Sequence, residues 1–140
     1  MYIILMENFV TSGSMMNKIF VVDDNLTNLL TAKNALTSHY QVFTMVSAMK
    51  MIELLKKITP DLILLDIKMP EMDGFEALAY LKSNSLYSDI PVIFLTGNTD
   101  TAIEARGFEL GVIDFITKPF SPQVLLNRIN THLDIDELVQ

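Results

Sequence analysis

Three aspartates, a threonine and a lysine stand where short apolar runs of this chain end. Asp23 and Asp24 follow the first of five such runs, Asp66 follows the third, Thr96 the fourth and Lys118 the fifth. In an open sheet of parallel strands, the carboxyl ends of the strands meet at one edge, where such folds bind their ligands. If the runs are strands, three carboxylates, a hydroxyl and an ammonium group converge on one pocket. A carboxylate placed there is a competent covalent acceptor for a phosphoryl group.

The charge of this pocket predicts a metal ion. Three carboxylates and one ammonium leave two negative charges, which a divalent cation would neutralise. The chain has no cysteine, and its two histidines, His39 and His132, are far apart in sequence. Oxygen ligands alone favour a hard cation, so we expect Mg²⁺, with Mn²⁺ as a possible substitute, at Asp23, Asp24 and Asp66.

Five apolar runs are predicted to be β-strands, because Val, Ile, Leu and Phe dominate them and Asp, Pro, Gly or Ser bounds them. They are Lys18–Val22, Gln41–Met45, Asp61–Leu65, Pro91–Leu95 and Val112–Thr117. Three of them contain the unbroken stretches IFVV, LILL and VIFL rather than alternating apolar and polar residues. Strands with both faces buried have this pattern, which indicates a parallel sheet covered by helices.

The segments between these runs repeat apolar residues at helical spacing. The predicted helices cover Leu26–Ser38, Ala48–Ile58, Gly74–Leu81 and Thr101–Leu110, with a fifth that begins at Pro122 after Ser121 as its cap. We expect Leu30 of the first helix and Phe108 of the fourth on the buried sides. The repeated strand–helix unit predicts an α/β fold, a doubly wound five-stranded parallel sheet in flavodoxin-like order 2-1-3-4-5 with helices on both faces.

The composition excludes several classes of protein. A chain of 140 residues makes one domain of ordinary size, and 50% hydrophobic with 19% charged residues is typical of a folded globule. The net charge of -7 argues against direct binding to nucleic acid. No apolar run approaches the ~20 residues that a membrane span requires, and no signal peptide is evident. We therefore expect no membrane contact and a cytoplasmic location.

The domain is expected to cover residues 17–133. Residues 1–16 are expected to be an N-terminal extension, either native or added by cloning, because Thr11–Ser14 is linker-like and Met15 and Met16 offer a second start. Residues 134–140 are expected to be a C-terminal tail or the start of a linker to an absent output domain.

Four motifs, in this order and each ending a predicted strand, carry a resemblance to a known family. They are Val21–Asn25 (VVDDN), Leu64–Gly74 (LLDIKMPEMDG), Ile93–Gly97 (IFLTG) and Asp114–Phe120 (DFITKPF). Together they resemble the receiver domain of two-component response regulators over residues 17–133. The resemblance implies a signalling switch that is controlled by phosphorylation of an aspartate.

The resemblance also implies a role for each matching residue at the metal site. Asp66 corresponds to the phospho-acceptor, and Asp23 and Asp24 correspond to the acidic pair that holds Mg²⁺. Asp66 itself and the backbone carbonyl of Lys68 complete the implied protein ligands of the ion. The side chain of Lys68, with that of Asn98, lies where the family tunes the lifetime of the phosphoryl group.

Further matching residues imply how the switch would work. Thr96 and Lys118 correspond to the pair that contacts the phosphoryl oxygens. Phe115 corresponds to the switch aromatic, although an aromatic in an apolar strand is also an ordinary core residue. The bond before Pro119 is usually cis in this family.

The implied donor is a phosphohistidine on a sensor histidine kinase or a phosphotransfer protein, since neither His39 nor His132 lies in a phosphotransfer motif. The domain is expected to promote only its own phosphorylation and dephosphorylation, and so not to be an enzyme otherwise. A phosphorylation-dependent homodimer through the face near Phe115 is a further expectation. The alternative is a receiver fold that only binds proteins, without phosphorylation. A dehalogenase-type phosphotransferase is disfavoured, because that class needs a second aspartate where this chain has Lys68.

Overall fold

The computed structural model describes residues 16–97 and 100–133, in which strands and helices alternate. The strands are β1 (Lys18–Val22), β2 (Gln41–Met45), β3 (Leu62–Asp66), β4 (Val92–Thr96) and β5 (Asp114–Thr117). The helices are α1 (Leu26–Leu36), α2 (Ala48–Leu55), α3 (Gly74–Lys82), α4 (Thr101–Leu110) and α5 (Pro122–Leu133). The predicted N-terminal extension, apart from Met16, and the predicted tail at 134–140 lie outside the described residues.

The five strands form one parallel sheet in the order β2-β1-β3-β4-β5. This confirms the predicted fold class and strand order. The register pairs Asp66 with Leu95 and Thr96 with Thr117, so the carboxyl ends of β3, β4 and β5 lie side by side. The polar residues that follow the apolar runs therefore meet at one edge of the sheet, as expected from a parallel arrangement.

Both faces of the sheet are covered by helices. On one face, α1 and α5 pack against alternate strand residues such as Val21 and Leu64. On the other face, α2 and α3 pack against the intervening residues, such as Phe20 and Phe94. The central strands β3 and β4 are buried along their whole length, which explains why their sequences are continuously apolar.

Side-chain caps determine where the helices begin. Asn25 and Ser47 each accept a hydrogen bond from a backbone N–H group three residues further on. Asp73 is the N-cap of α3, and with Glu76 it forms a capping box. Gly111 ends α4 in the left-handed region at φ 112°. Loss of one such N-cap typically costs about 1 kcal/mol.

Several predicted boundaries are wrong by one to three residues. Helix α1 ends at Leu36 rather than Ser38, and α2 ends at Leu55 rather than Ile58. Strands β3 and β4 each begin and end one residue later than predicted, and β5 begins two residues later. Asp66 and Thr96 are consequently the last residues of their strands. Each is still paired with a residue of the neighbouring strand, Asp66 with Leu95 and Thr96 with Thr117.

Two side chains that were expected to be buried are exposed. Leu30 is 58% exposed and Phe108 is 52% exposed. Helix α1 buries Leu29, Ala32 and Leu36 instead, and that narrower stripe leaves Leu30 on its solvent side. In helix α4 only Gly107 is buried, while Ile103 is partly buried against the core.

Within the described part of the chain, no helix is both long and apolar enough to cross a membrane. The longest, α5, has 12 residues.

Candidate functional site

The ends of β1, β3 and β5 bring three of the predicted site residues into contact. Lys118 Nζ donates to Asp66 Oδ1 at 2.8 Å and lies 3.6 Å from Asp23 Oδ2. Asp23 and Asp66 are buried, with 0% and 2% of each residue exposed. Because side chains alternate between faces along a strand, all three continue the rows that face α1 and α5. The predicted convergence of these groups is confirmed.

Asp24 completes an acidic cluster at the mouth of this pocket. One carboxylate oxygen from each of Asp23, Asp24 and Asp66 lies within 4.8 Å of the other two. Asp24 is exposed, whereas its two partners are buried. The cluster therefore opens to solvent on the side of Asp24 and is closed by protein around Asp66.

Asp23 is held by two hydrogen bonds from the start of α1. Its Oδ1 accepts from the backbone N–H of Asn25 at 2.9 Å, and its Oδ2 accepts from the side-chain amide of Asn28 at 3.0 Å. Asn28 was not among the predicted site residues. An asparagine in the first helical turn after an aspartate pair was the available signal, because its side-chain amide can donate to a carboxylate that precedes the helix.

Asp66 has one oxygen that is not satisfied by protein. Among the described residues, Asp66 Oδ2 is the buried side-chain oxygen that has no hydrogen-bond partner. A buried carboxylate oxygen without a donor is costly, and a cation or a covalent modification would remove that cost. Three carboxylates that lack sulfur or imidazole neighbours suit a hard divalent cation, so the residues present fit Mg²⁺.

Burial raises the pKa of Asp66 from its ordinary 3.8 to about 6, although the hydrogen bond from Lys118 opposes the shift and the nearby Asp23 charge adds to it. Two opposing effects act on the pKa of Lys118. Burial lowers it, but the hydrogen bond to Asp66 and the charge of Asp23 outweigh burial, so that it lies above its usual 10.5. Lys118 is therefore charged at neutral pH, while Asp66 is less acidic than an exposed aspartate.

The loop after Asp66 is held close to that residue by Gly74. The backbone N–H of Gly74 donates to the carbonyl of Ile67 at 2.7 Å. A Cβ atom at Gly74 would lie 2.5 Å from the backbone oxygen of Asp66, so only glycine fits there. Lys68 lies within this loop with an exposed side chain, and the role of its carbonyl as a metal ligand stays a prediction.

Thr96 and Phe115 share the opposite face of the sheet. Thr96 is buried at the end of β4, two residues after Phe94 and so on the same face as that ring. Phe94 is the register partner of Phe115, and their ring centroids lie 5.8 Å apart. Thr96 is thus a diagonal neighbour of Phe115, one step nearer the carboxyl edge.

The Phe115 ring lies beneath α4. Its centroid is 5.1 Å from that of Phe108, in an edge-to-face arrangement. A Cβ atom at Gly107 would lie 2.5 Å from Phe115 Cζ, so the tip of the ring occupies the space that glycine leaves in the helix. Gly107 was not predicted as a site residue. Glycine inside a helix, where it is unfavourable by about 1 kcal/mol, was the signal for such a close approach.

The backbone of Phe115 is anchored from α5. Arg128 Nη1 donates to the Phe115 carbonyl at 2.8 Å and lies 3.1 Å from Asp114 Oδ1. His132 Nε2 lies 3.0 Å from the other carboxylate oxygen of Asp114. His132 is half-buried and is hydrogen-bonded to Asp114. His39 lies in the turn after α1 and is exposed.

The Lys118–Pro119 peptide bond is cis, as the resemblance implied. Asn98, the second residue expected to tune the phosphoryl lifetime, lies outside the described residues.

A family model described as the response regulator receiver domain matches residues 19–130. Among solved structures, the chemotaxis protein CheY4 of Vibrio cholerae superimposes with a TM-score of 0.80 at 28% identity, covering 84% of this chain and 99% of that protein. The fold of this chain is thus shared with a solved chemotaxis protein.

Curated relatives include proteins of very different length. A probable cyclic di-GMP phosphodiesterase of Vibrio cholerae is 41% identical over 115 residues, which cover 82% of this chain and 26% of that relative. Protein PilG of Pseudomonas aeruginosa is 32% identical over 117 residues, which cover 83% of this chain and 87% of PilG. The chain thus spans about a quarter of the first relative and most of the second.

Proposed function

The chain belongs to the response regulator receiver domain family, and from this premise we propose that it is a switch activated by phosphorylation of Asp66. The donor in this proposal is a phosphohistidine on a sensor histidine kinase or a phosphotransfer protein. The observation that carries it is the buried Asp66 Oδ2 atom, for which the described residues supply no hydrogen-bond donor. An acceptor with a free oxygen, next to Lys118 and two further carboxylates, is the arrangement that phosphoryl transfer to a carboxylate needs.

In the proposed step, a carboxylate oxygen of Asp66 forms a bond to phosphorus as the phosphorus–nitrogen bond of the donor breaks. The bonding electron pair leaves with the imidazole of the donor, and the product is an acyl phosphate on Asp66. Lys118, which is 2.8 Å from Asp66 in the resting site, stays charged and offsets negative charge on the transferred oxygens.

Asp23, Asp24 and Asp66, with the carbonyl of Lys68, would hold Mg²⁺ in this proposal. When bound, the ion stabilises negative charge on the transferring phosphoryl oxygens. Asp23 would keep the orientation given by its two hydrogen bonds from α1, and Asp24 would bind from the solvent side.

Phosphorylation adds about one negative charge to the pocket, and we propose that Thr96 and Phe115 transmit this change. Thr96 would turn its hydroxyl toward the new oxygens. Phe115, its diagonal neighbour, would move into the vacated space and leave its seat beneath α4. Because α4 is fully buried only at Gly107, a displaced ring would shift this helix at low cost.

We propose that the chain catalyses no reaction other than its own phosphorylation and dephosphorylation. The phosphodiesterase activity in the name of one relative concerns a protein of which this chain covers 26%. Relatives also include a hybrid histidine kinase of Dictyostelium discoideum, which is consistent with a histidine kinase as partner.

Intact-mass spectrometry after incubation with acetyl phosphate, with and without Mg²⁺, tests the proposal. We expect a gain of one phosphoryl group that requires Mg²⁺ and is lost in Asp66→Asn. The matched control is Asp89→Asn, since Asp89 is an exposed aspartate outside the pocket and its variant should be phosphorylated normally. No gain in the folded wild-type chain, also with a phosphorylated kinase, would support the alternative of a binding module that works without phosphorylation.

A further inference from the structure

Asn28 is a neutral residue whose side chain is hydrogen-bonded to the acidic cluster. Its side-chain amide donates to Asp23 Oδ2 at 3.0 Å, in a half-buried position one turn into α1. Its backbone N–H donates at 3.0 Å to the side chain of Asn25, the N-cap of the helix. The same cap residue donates its backbone N–H to Asp23 Oδ1 at 2.9 Å. Asn25, Asn28 and Asp23 are therefore each hydrogen-bonded to the other two.

These hydrogen bonds orient Asp23 through both of its oxygens. Asp23 is fully buried, so its carboxylate has no solvent to replace a lost donor. Its Oδ1 accepts from the backbone N–H of Asn25, and this hydrogen bond does not depend on the side chain of Asn25. The other, Oδ2, receives its nearest donor from Asn28 at 3.0 Å, while the Lys118 ammonium is at 3.6 Å. Asn28 is consequently the side chain that determines the rotation of the Asp23 carboxylate.

Asn28 also affects where Lys118 lies. Lys118 Nζ is 2.8 Å from Asp66 and 3.6 Å from Asp23, although both carboxylates are buried and both attract it. The hydrogen bond from Asn28 already compensates part of the negative charge on Asp23 Oδ2, which weakens the attraction of that carboxylate for the ammonium group. Lys118 therefore remains hydrogen-bonded to Asp66. An amide does this without adding charge, so the net negative charge of the cluster stays available to a cation.

We propose that Asn28 is a positioning residue of the divalent-cation site, one that sets cation affinity by orienting Asp23 and by keeping Lys118 on Asp66. This inference rests on the metal site of the proposed function. It concerns a residue that would not itself bind the ion. Outer residues that orient metal ligands typically change affinity by roughly 10-fold to 100-fold when they are replaced.

The test compares Asn28→Leu, of similar size but without a donor, with Asn34→Leu, an exposed asparagine on the same helix. MgCl₂ is titrated into each protein, and binding is followed by backbone amide chemical shifts and by the midpoint of thermal unfolding. We expect Asn28→Leu to bind Mg²⁺ roughly 10-fold more weakly than the wild type, and Asn34→Leu to bind it equally well. Asn28→Ser, whose hydroxyl is too short to reach Asp23, is expected to match Asn28→Leu and serves if the leucine variant does not fold.

A purely structural role for Asn28 would give a different result. In that case the variants would unfold at a lower temperature without metal, but their Mg²⁺ affinity would equal that of the wild type, and the proposal would be overturned. If the wild-type chain itself shows no response to Mg²⁺, the metal site of the proposed function fails together with it. Wild-type binding with unchanged binding in both Asn28 variants removes only the role of Asn28.

Discussion

Lys118 compensates only one of the two oxygens of Asp66. Its ammonium donates to Oδ1 at 2.8 Å, whereas Oδ2 of the same buried carboxylate has no hydrogen-bond partner among the described residues. Burial raises the pKa of Asp66 to about 6 even though a lysine that lowers it is in contact with the carboxylate. A cation or a phosphoryl group at Oδ2 would compensate the second oxygen of Asp66.

The stability of the metal-free protein should depend on the ionisation of Asp66. Its pKa is about 6 in the folded chain against an ordinary 3.8, so between these pH values the folded chain retains a proton that the unfolded chain has lost. The stabilising contribution is fully present below pH 3.8 and is lost as pH rises through about 6. We therefore expect Asp66→Asn to be more stable than the wild type at neutral pH, by about 1 to 3 kcal/mol. Urea unfolding in the presence of a chelator, at several pH values, measures this difference.

The control for this pH experiment is Asp89→Asn, which should follow the wild-type curve, because Asp89 is exposed. A difference between Asp66→Asn and the wild type that stays constant from acidic to neutral pH would show that ionisation of Asp66 is not the cause.

Lys118→Met should strengthen cation binding while weakening phosphorylation. The variant removes the ammonium that lies 2.8 Å from Asp66 and 3.6 Å from Asp23, so the cluster becomes more negative. We expect Mg²⁺ to raise the unfolding midpoint of Lys118→Met by more than that of the wild type, since a ligand stabilises the folded state by mass action. Phosphorylation by acetyl phosphate should slow by about 10-fold or more, because one source of charge stabilisation is lost. A smaller midpoint shift with Mg²⁺ than in the wild type would contradict this electrostatic account.

Gly107→Ala should disturb the seat of Phe115. The new Cβ would lie 2.5 Å from Phe115 Cζ and 3.2 Å from a methyl carbon of Val112, so the ring or the helix must move. Alanine gains about 1 kcal/mol in helix propensity, but overpacking typically costs about 1 to 3 kcal/mol, and we expect a net loss of stability. Denaturant unfolding and the chemical shifts of the Phe115 ring test this. Unchanged ring shifts together with a gain in stability would show that α4 already accommodates a methyl group.

Gly74→Ala should be more damaging, because its new Cβ would meet backbone rather than a movable ring. The distances are 2.5 Å to the Asp66 oxygen and 2.7 Å to the Ile67 Cα. We expect a loss of about 3 kcal/mol or more, with reduced phosphorylation, since the loop after Asp66, the proposed acceptor, must shift. Gly97→Ala is the matched control, for no described atom lies within 4 Å of its Cβ position. Equal stability of the two variants would mean that the loop yields easily.

Phosphorylation should increase self-association if the face near Phe115 responds as proposed. Sedimentation of the protein with and without beryllium fluoride, a phosphoryl mimic, compares the two states at one concentration. We expect a larger mass with the mimic, and a smaller increase in Phe115→Ala, where the ring that lies under α4 is absent. The same mass in both states would remove self-association as the output of the switch.

The sequence alone determined the fold and the main groups of the site. Continuously apolar strands and capped helices are local patterns, and a parallel sheet brings its carboxyl ends to one edge, so Asp23, Asp66 and Lys118 could be placed together before any distance was known. The contact between Lys118 and Asp66 joins positions 52 apart, and the parallel sheet places both residues at the same edge.

Tertiary structure decided the features that depend on exact positions. The free oxygen of Asp66, the amide of Asn28 on Asp23 and the space at Gly107 for Phe115 arise from packing between separate elements. Helical spacing was likewise unable to show that Leu30 and Phe108 are exposed, because an apolar residue at the edge of a stripe is buried only if a neighbouring element covers it. Periodicity specifies the face of the helix or strand on which a side chain lies, but only the tertiary structure specifies which residues that side chain contacts.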